Sequence, residues 1–212
     1  MSERVIVVGA GGMGREVVDI LRAMQNAGSQ VEVVGVVDDR PSDQNLARLR
    51  AQHVAYLGTV TEKLRSQGQI EYVIGIGDPL VRRAVVSRLN SAGWTARSVV
   101  HPDSTCGSSV RIGAGSVVCA GARLTTNIAL EPHVVINQGV TIGHDSRIGA
   151  YTAINPGAHI SGDVVIGEAA LIGAGAVVLQ GLRVGNESIV GAAACVTRDV
   201  SDGALVKGVP AA

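Results

Sequence analysis

Over the second half of the chain an aliphatic residue returns at every sixth position. The beat starts at Ile112, passes through Val118, Leu124 and Leu130, and reaches Val196 after fifteen unbroken hits. Four places after each beat stands a small or aliphatic residue, from Ser116 and Ala122 to Ala194 and Val200. Glycine often follows the beat directly, as at Gly113, Gly143, Gly149 and Gly173. A fixed short period marks a repeat architecture, and hexapeptide repeats build a parallel β-helix. Each hexad is then a short strand and a corner. Three hexads make a triangular turn of about 18 residues, stacked on the next at roughly 4.8 Å. Fifteen hexads predict five coils. None of them buries its apolar face without neighbours.

The first hundred residues follow another rhythm. Val5-Ile6-Val7-Val8 predicts a buried strand, and the glycine-rich Gly9-Ala10-Gly11-Gly12-Met13-Gly14 a turn. Residues 15–24 predict an amphipathic helix with Val17, Val18, Ile20 and Leu21 on its apolar side. A second strand is expected over residues 31–37, a short helix or turn near 46–50, and a third strand over 72–76. A helix over residues 80–92 carries Arg82, Arg83 and Arg88 on its polar side. Strands alternating with helices imply a parallel sheet, here Rossmann-like. His101-Pro102 marks the junction, so the expected division is an α/β domain over 1–100 and an all-β domain over 101–212.

Composition sharpens this picture in three places. Aromatic residues are 2% and phenylalanine is absent, which starves an ordinary core but suits the narrow interior of a β-helix. Lysine plus arginine equals aspartate plus glutamate at 18 each, so no field favours nucleic acid or an anionic membrane. With no long apolar span and no leader ahead of the first strand, a cytoplasmic location is expected. Cys106, Cys119 and Cys195 are odd in number and unpatterned, and read as reduced structural residues. No H-x-x-x-H or C-x-x-C spacing appears, so no metal is expected.

Two places carry chemistry. Gly9, Gly11 and Gly14 match G-x-G-x-x-G between a strand and a helix, where free N–H groups and the helix dipole attract a phosphate. Asp38-Asp39 closes the second strand and could accept hydrogen bonds from a ribose or a base N–H. Gly77-Asp78-Pro79 closes the third, at the carboxyl edge where such sheets bind ligands. These parts allow a dinucleotide, though the sheet is short for one. They also allow a smaller nucleotide, or glycines that serve only as tight turns. In the repeat, Ile142-Gly143-His144-Asp145 is the unusual hexad. His144 lies two places after an inward beat and points outward near a corner. A histidine is the usual base near neutral pH, and a neighbouring carboxylate can hold its tautomer. His53, His101, His133 and His159 have no acidic neighbour at such spacing and read as structural or exposed.

The chain resembles the sugar-nucleotide acetyltransferases of the NeuD and PglD type. The resemblance rests on the glycine loop through Arg15-Glu16-Val17, on Val37-Asp38-Asp39, Gly75-Ile76-Gly77 and Val100-His101-Pro102, and on Ile136-Asn137. It continues through Ile142-Gly143-His144-Asp145, Pro156-Gly157-Ala158 and the tail Gly208-Val209-Pro210. It implies a nucleotide-binding domain followed by a left-handed β-helix, assembled as a homotrimer. It also implies transfer of an acetyl group from acetyl-CoA to an amino sugar on a UDP- or GDP-type nucleotide, serving polysaccharide synthesis. By resemblance His144 is the base and Asp145 its modulator, while Asn137 lies near the reacting group of the sugar. Gly11, Gly12 and Met13 hold the diphosphate, and Asp38, Asp39 and Gly77 the nucleoside. Ala153, Gly162, Ala174 and Ala192 lie along the coenzyme. Two positions depart from the pattern: Met13 and Ala153 stand where many members carry histidine, and each loses a polar contact. Acetylation of a sugar hydroxyl, as on a sialic acid, and a non-catalytic trimeric scaffold are the alternatives.

Overall fold

The computed structural model describes residues 3–64 and 70–212. The chain divides into two compact units between Val99 and Val100. In the first, the apolar run at residues 5–8 becomes the buried part of β1 (Glu3–Val8), and the β-branched second run forms β2 (Val31–Val37). β3 (Glu71–Ile74) pairs with the other side of β1, and the short β4 (Thr95–Ala96) follows at the edge. Among the described residues the sheet is parallel with order β2-β1-β3-β4. The helices are α1 (Gly12–Asn26), α2 (Asp43–Ala51), α3 (Val60–Leu64) and α4 (Pro79–Ser91). α1 buries Val17, Val18, Ile20 and Leu21, the stripe its sequence predicts. Ser42 and Asp78 start α2 and α4 by accepting from the N–H groups of Asn45 and Val81. Pro79 takes the first helical turn, where a missing N–H costs nothing. α3 and β4 are additions to the sequence reading, each too short to show a period.

Arg82 corrects the expectation for α4. It does not share the polar side with Arg83 and Arg88 but is fully buried. Its Nη1 turns beneath the loop after β3 and donates to the carbonyl oxygens of Ile76 at 2.6 Å and Gly77 at 2.9 Å. Burial pulls its pKa down to about 10. The carbonyls of a tight loop supply acceptors that water would otherwise provide, which makes the buried cation tolerable.

The second unit is a left-handed parallel β-helix. Two-residue strands stack in three sheets of seven, six and five, so the coil makes about six turns and not the five expected. The additional strands lie outside the run of fifteen. Val99–Val100 and Thr105–Cys106 precede it, and Leu205–Val206 follows out of step. Register is uniform through the run of fifteen, where each strand pairs with the strand 18 residues on, as Ile136 with Ile154 and Ile142 with Ile160. The final turn is shorter, with Ile189 paired to Leu205. The beat residues fill the interior, with Ile142, Ile148 and Ile154 fully buried. Burying each such side chain is worth roughly 2 kcal/mol. The position four later is buried as well, apart from the partly buried Leu182, and where it is polar its hydroxyl is satisfied. Ser146 donates to the Ser161 carbonyl and accepts from the Val164 N–H, and Thr152 bridges Gly167 and Ala170 in the same way.

Candidate active site

In the first unit the glycines divide into two kinds. A β-carbon on Gly14 would fall 1.8 Å from the Gly9 carbonyl oxygen, and one on Gly75 would fall 2.3 Å from the Gly14 Cα. Gly9, Gly14 and Gly75 therefore let α1 and the ends of β1 and β3 pack backbone to backbone. A β-carbon on Gly11, Gly12 or Gly77 would meet nothing within 4 Å. Gly11 is the N-cap of α1 and supplies no side-chain cap. The first turn of a 15-residue helix thus faces open space with donors that no side chain covers. Met13 follows on that turn, partly exposed.

Asp38 is tied into the loop itself. Its Oδ2 accepts from the Ala10 N–H at 2.7 Å and its Oδ1 from the Arg40 N–H at 2.8 Å. Asp39 accepts from Arg88 Nη1 at 3.0 Å and from the Thr61 N–H at 3.3 Å. Partial burial pushes the Asp39 pKa up, but the bonds from Arg88 and Thr61 outweigh it and hold the carboxyl below its ordinary value. Beside these carboxylates lies a cavity of about 250 Å³, walled by Val8, Val60, Ile76, Val81 and Val85, with Asp38, Asp39 and Arg40 at its edge. A cavity of about 150 Å³ already accepts benzene, so a nucleobase-sized ring fits. The cavity lies beside Gly9 and Ile76, at the carboxyl ends of β1 and β3. That is the crevice where open α/β sheets take ligands. The sequence reading missed its apolar walls. Val81 and Val85, four apart on α4, carry the only periodic signal for them.

In the second unit His144 and Asp145 meet. His144 Nδ1 lies 2.7 Å from Asp145 Oδ2, and both side chains are about half exposed, at 53% and 49%. Asp145 occupies a left-handed corner with φ 63°, which turns its carboxylate back toward the preceding ring. The Asn127 amide donates to Asp145 Oδ1 at 2.6 Å. That bond, and then the one from His144, holds the Asp145 carboxyl below its ordinary value. An ionised carboxylate only accepts, so Nδ1 is the donor and the neutral ring keeps its lone pair on Nε2. The ring lies over Gly162, one turn onward. A β-carbon there would fall 2.5 Å from Nε2, so glycine is what leaves the ring its place.

The remaining expected positions lie apart from this pair in character. Asn137 is buried and donates to the Ile154 carbonyl at 3.0 Å and to Asn155 Oδ1 at 3.3 Å, a rung between equivalent positions of two coils. Ala153 is buried in register between Val135 and Leu171. Ala174 and Ala192 are exposed on successive turns, with the Ala193 N–H bonded to the Ala174 carbonyl at 2.8 Å. His133 is buried and stacks on Tyr151, with ring centroids 5.3 Å apart. His159 bonds Thr141 across the coil at 2.8 Å.

Comparison with known proteins decides the class. Residues 4–89 match the PglD N-terminal domain, and residues 145–180 match the bacterial transferase hexapeptide repeat. PerB from Caulobacter crescentus, solved with CoA and GDP-perosamine, is 32% identical with a TM-score of 0.86, over 98% of this chain and 95% of that one. The chain belongs to the PglD-type hexapeptide-repeat sugar acetyltransferases. The acetyltransferase domain of PglB from Neisseria gonorrhoeae, solved with acetyl coenzyme A, is 32% identical to this acetyltransferase with a TM-score of 0.87, over 100% and 99%. WeeI from Acinetobacter baumannii is 28% identical with a TM-score of 0.84. No curated protein matches at a significant level. No helix among the described residues of the acetyltransferase is long and apolar enough to cross a membrane.

Proposed function

We propose that this acetyltransferase moves the acetyl group of acetyl-CoA onto the amine of a nucleotide-linked amino sugar, with His144 as general base. The residues before the β-helix bind the nucleotide. The observation that carries the reading is the His144–Asp145 hydrogen bond, because it leaves Nε2 free to take a proton. The acceptor amine arrives neutral and its nitrogen attacks the thioester carbonyl carbon. As the N–C bond forms, Nε2 of His144 takes the nitrogen's proton, and Asp145 stabilises the imidazolium. The C–S bond breaks, sulfur leaves as thiolate, and His144 returns the proton to it. Amide and thiol are the products, so no acyl-enzyme is needed. Backbone N–H groups on the coil stabilise the oxyanion.

Three further observations support the reading. The uncapped first turn of α1 at Gly11 and Gly12 suits a diphosphate, and the apolar cavity beside Asp38 and Asp39 suits a base. The exposed Ala174 and Ala192 offer a smooth ledge on which the amides of the coenzyme's arm could pair with backbone. PerB was solved with GDP-perosamine, an amino-sugar nucleotide, which favours an amine over a hydroxyl as acceptor. A homotrimer is part of the same reading. Its support is the outward-facing pair Ile189 and Leu205, in register on one sheet and 41% and 61% exposed.

The test is thiol release from acetyl-CoA with UDP-, GDP- and dTDP-linked 4-amino-4,6-dideoxysugars. Turnover with one acceptor is expected, and His144→Ala should lower it by about 10²–10⁴ with folding intact. Turnover only with hydroxyl sugars would move the reading to O-acetylation. A folded His144→Ala protein with near-normal rates would remove His144 as the base.

A further inference from the structure

We propose that Asn127 is a positioning residue of the transfer site, holding the Asp145 carboxylate that orients His144. The inference rests on the reading of His144 as the base. Asn127 lies one full turn of the coil before Asp145, at the same corner, and both adopt left-handed backbone angles, with φ 54° and 63°. Stacking therefore sets one side chain directly against the other. Asn127 Nδ2 donates to Asp145 Oδ1 at 2.6 Å while His144 Nδ1 reaches Oδ2 at 2.7 Å. Each carboxylate oxygen is anchored by a different partner, which fixes the plane of the group. Without the amide, a carboxylate half exposed to water would have one anchor and could turn away from the ring.

The corner alone does not require asparagine. The same column holds Ser109, Asp163 and Gly181, all with positive φ, at 59°, 57° and 74°. What asparagine adds is a neutral donor. An amide steadies the carboxylate without cancelling its charge, so the full negative charge stays available to the imidazolium. A lysine or arginine here would anchor Asp145 equally well and compete with His144 for it. The next turn contributes backbone: the Asp163 N–H donates to the His144 carbonyl at 2.7 Å, which leaves the imidazole to Asp145.

Asn127→Gly gives a clean test, because glycine accepts the left-handed corner and removes only the amide. Ring ¹⁵N shifts of His144 report the tautomer, and steady-state kinetics report the rate. The variant is expected to fold as the parent does, by circular dichroism and Tm. It should lose part of its Nδ1–H tautomer and drop in kcat by about 10-fold or more, with KM for both substrates unchanged. Asn127→Asp keeps the shape but sets carboxylate against carboxylate, and at pH 8 should be impaired at least as much. Parent-like tautomer and kcat in Asn127→Gly, or full activity of Asn127→Asp at pH 8, would overturn the proposal. If the parent transfers acetyl to no acceptor, the enzymatic reading fails instead, and the tautomer comparison still decides what Asn127 does.

Discussion

Gly162 is the residue on which the geometry of the proposed base turns. Its missing β-carbon would sit 2.5 Å from His144 Nε2, about 1 Å inside a normal contact. In Gly162→Ala the clash falls on the end of a mobile side chain and not on backbone, so the ring moves and the coil does not. A 1 Å misplacement of a catalytic group can cost about 10²-fold. Gly162→Ala should therefore keep its Tm within a few degrees of the parent and lose kcat on that scale. A parent-like kcat would mean that the ring's observed place is not its working place. Sequence reasoning reached His144 and Asp145 because adjacency suggested a pair, and it reached Gly162 by resemblance alone. It passed over Asn127, although the 18-residue turn puts Asn127 beside Asp145. That link needs the coil's length and its corner angles together, and neither is visible in one hexad.

At the scale of elements, the glycine loop into α1 separates packing from binding. Gly14 sits against the Gly9 carbonyl, so Gly14→Ala would force backbone against backbone and should destabilise by about 3 kcal/mol or more. Gly12 meets nothing, and alanine favours a helix over glycine by about 1 kcal/mol. Gly12→Ala should thus raise Tm slightly while raising KM for the nucleotide sugar, since the methyl stands where the diphosphate is proposed to lie. Thermal melts and a KM series check both arms, and a Gly12→Ala protein with unchanged KM would place the diphosphate elsewhere. The strands and long helices were legible because their periods are strong. Val5 to Val8 of β1 form an unbroken buried apolar run, as fits an inner strand of a parallel sheet, and β2 at the sheet edge is interrupted by the exposed Glu32. α3 at five residues and β4 at two lie below the length where any period shows. Arg82 was misread because its charge was weighed above its spacing. It falls on the buried stripe of α4 with Pro79, Val86 and Leu89, and the loop after β3 brings carbonyls to its guanidinium.

At the scale of the whole molecule, the solenoid's outer surface carries the last consequence of its regular register. Alternation along a two-residue strand sends one side chain inward and one outward, and stacking turns each outward position into a column. On the seven-stranded sheet that column runs through Leu171 to Ile189 and Leu205, and exposure rises along it, to 41% and then 61%. An edge-on view of the hexads does not foretell this, because the beat marks only inward positions and the outward ones vary freely. Two adjacent apolar side chains on a flat sheet face suit a second copy of the same chain, which would bury roughly 1.5–3 kcal/mol at each of them. A double variant, Ile189→Lys with Leu205→Lys, leaves the interior beat at Val190 and Val206 untouched. It should melt like the parent as a monomer but show a lower mass by light scattering at micromolar concentration. Because charge is placed on both members of the contact, single variants should fall between the two. Unchanged mass in the double variant would move the contact between copies to another face of the coil, and a parent that is itself monomeric would remove self-association from the reading while leaving His144, Asp145 and Asn127 where they are.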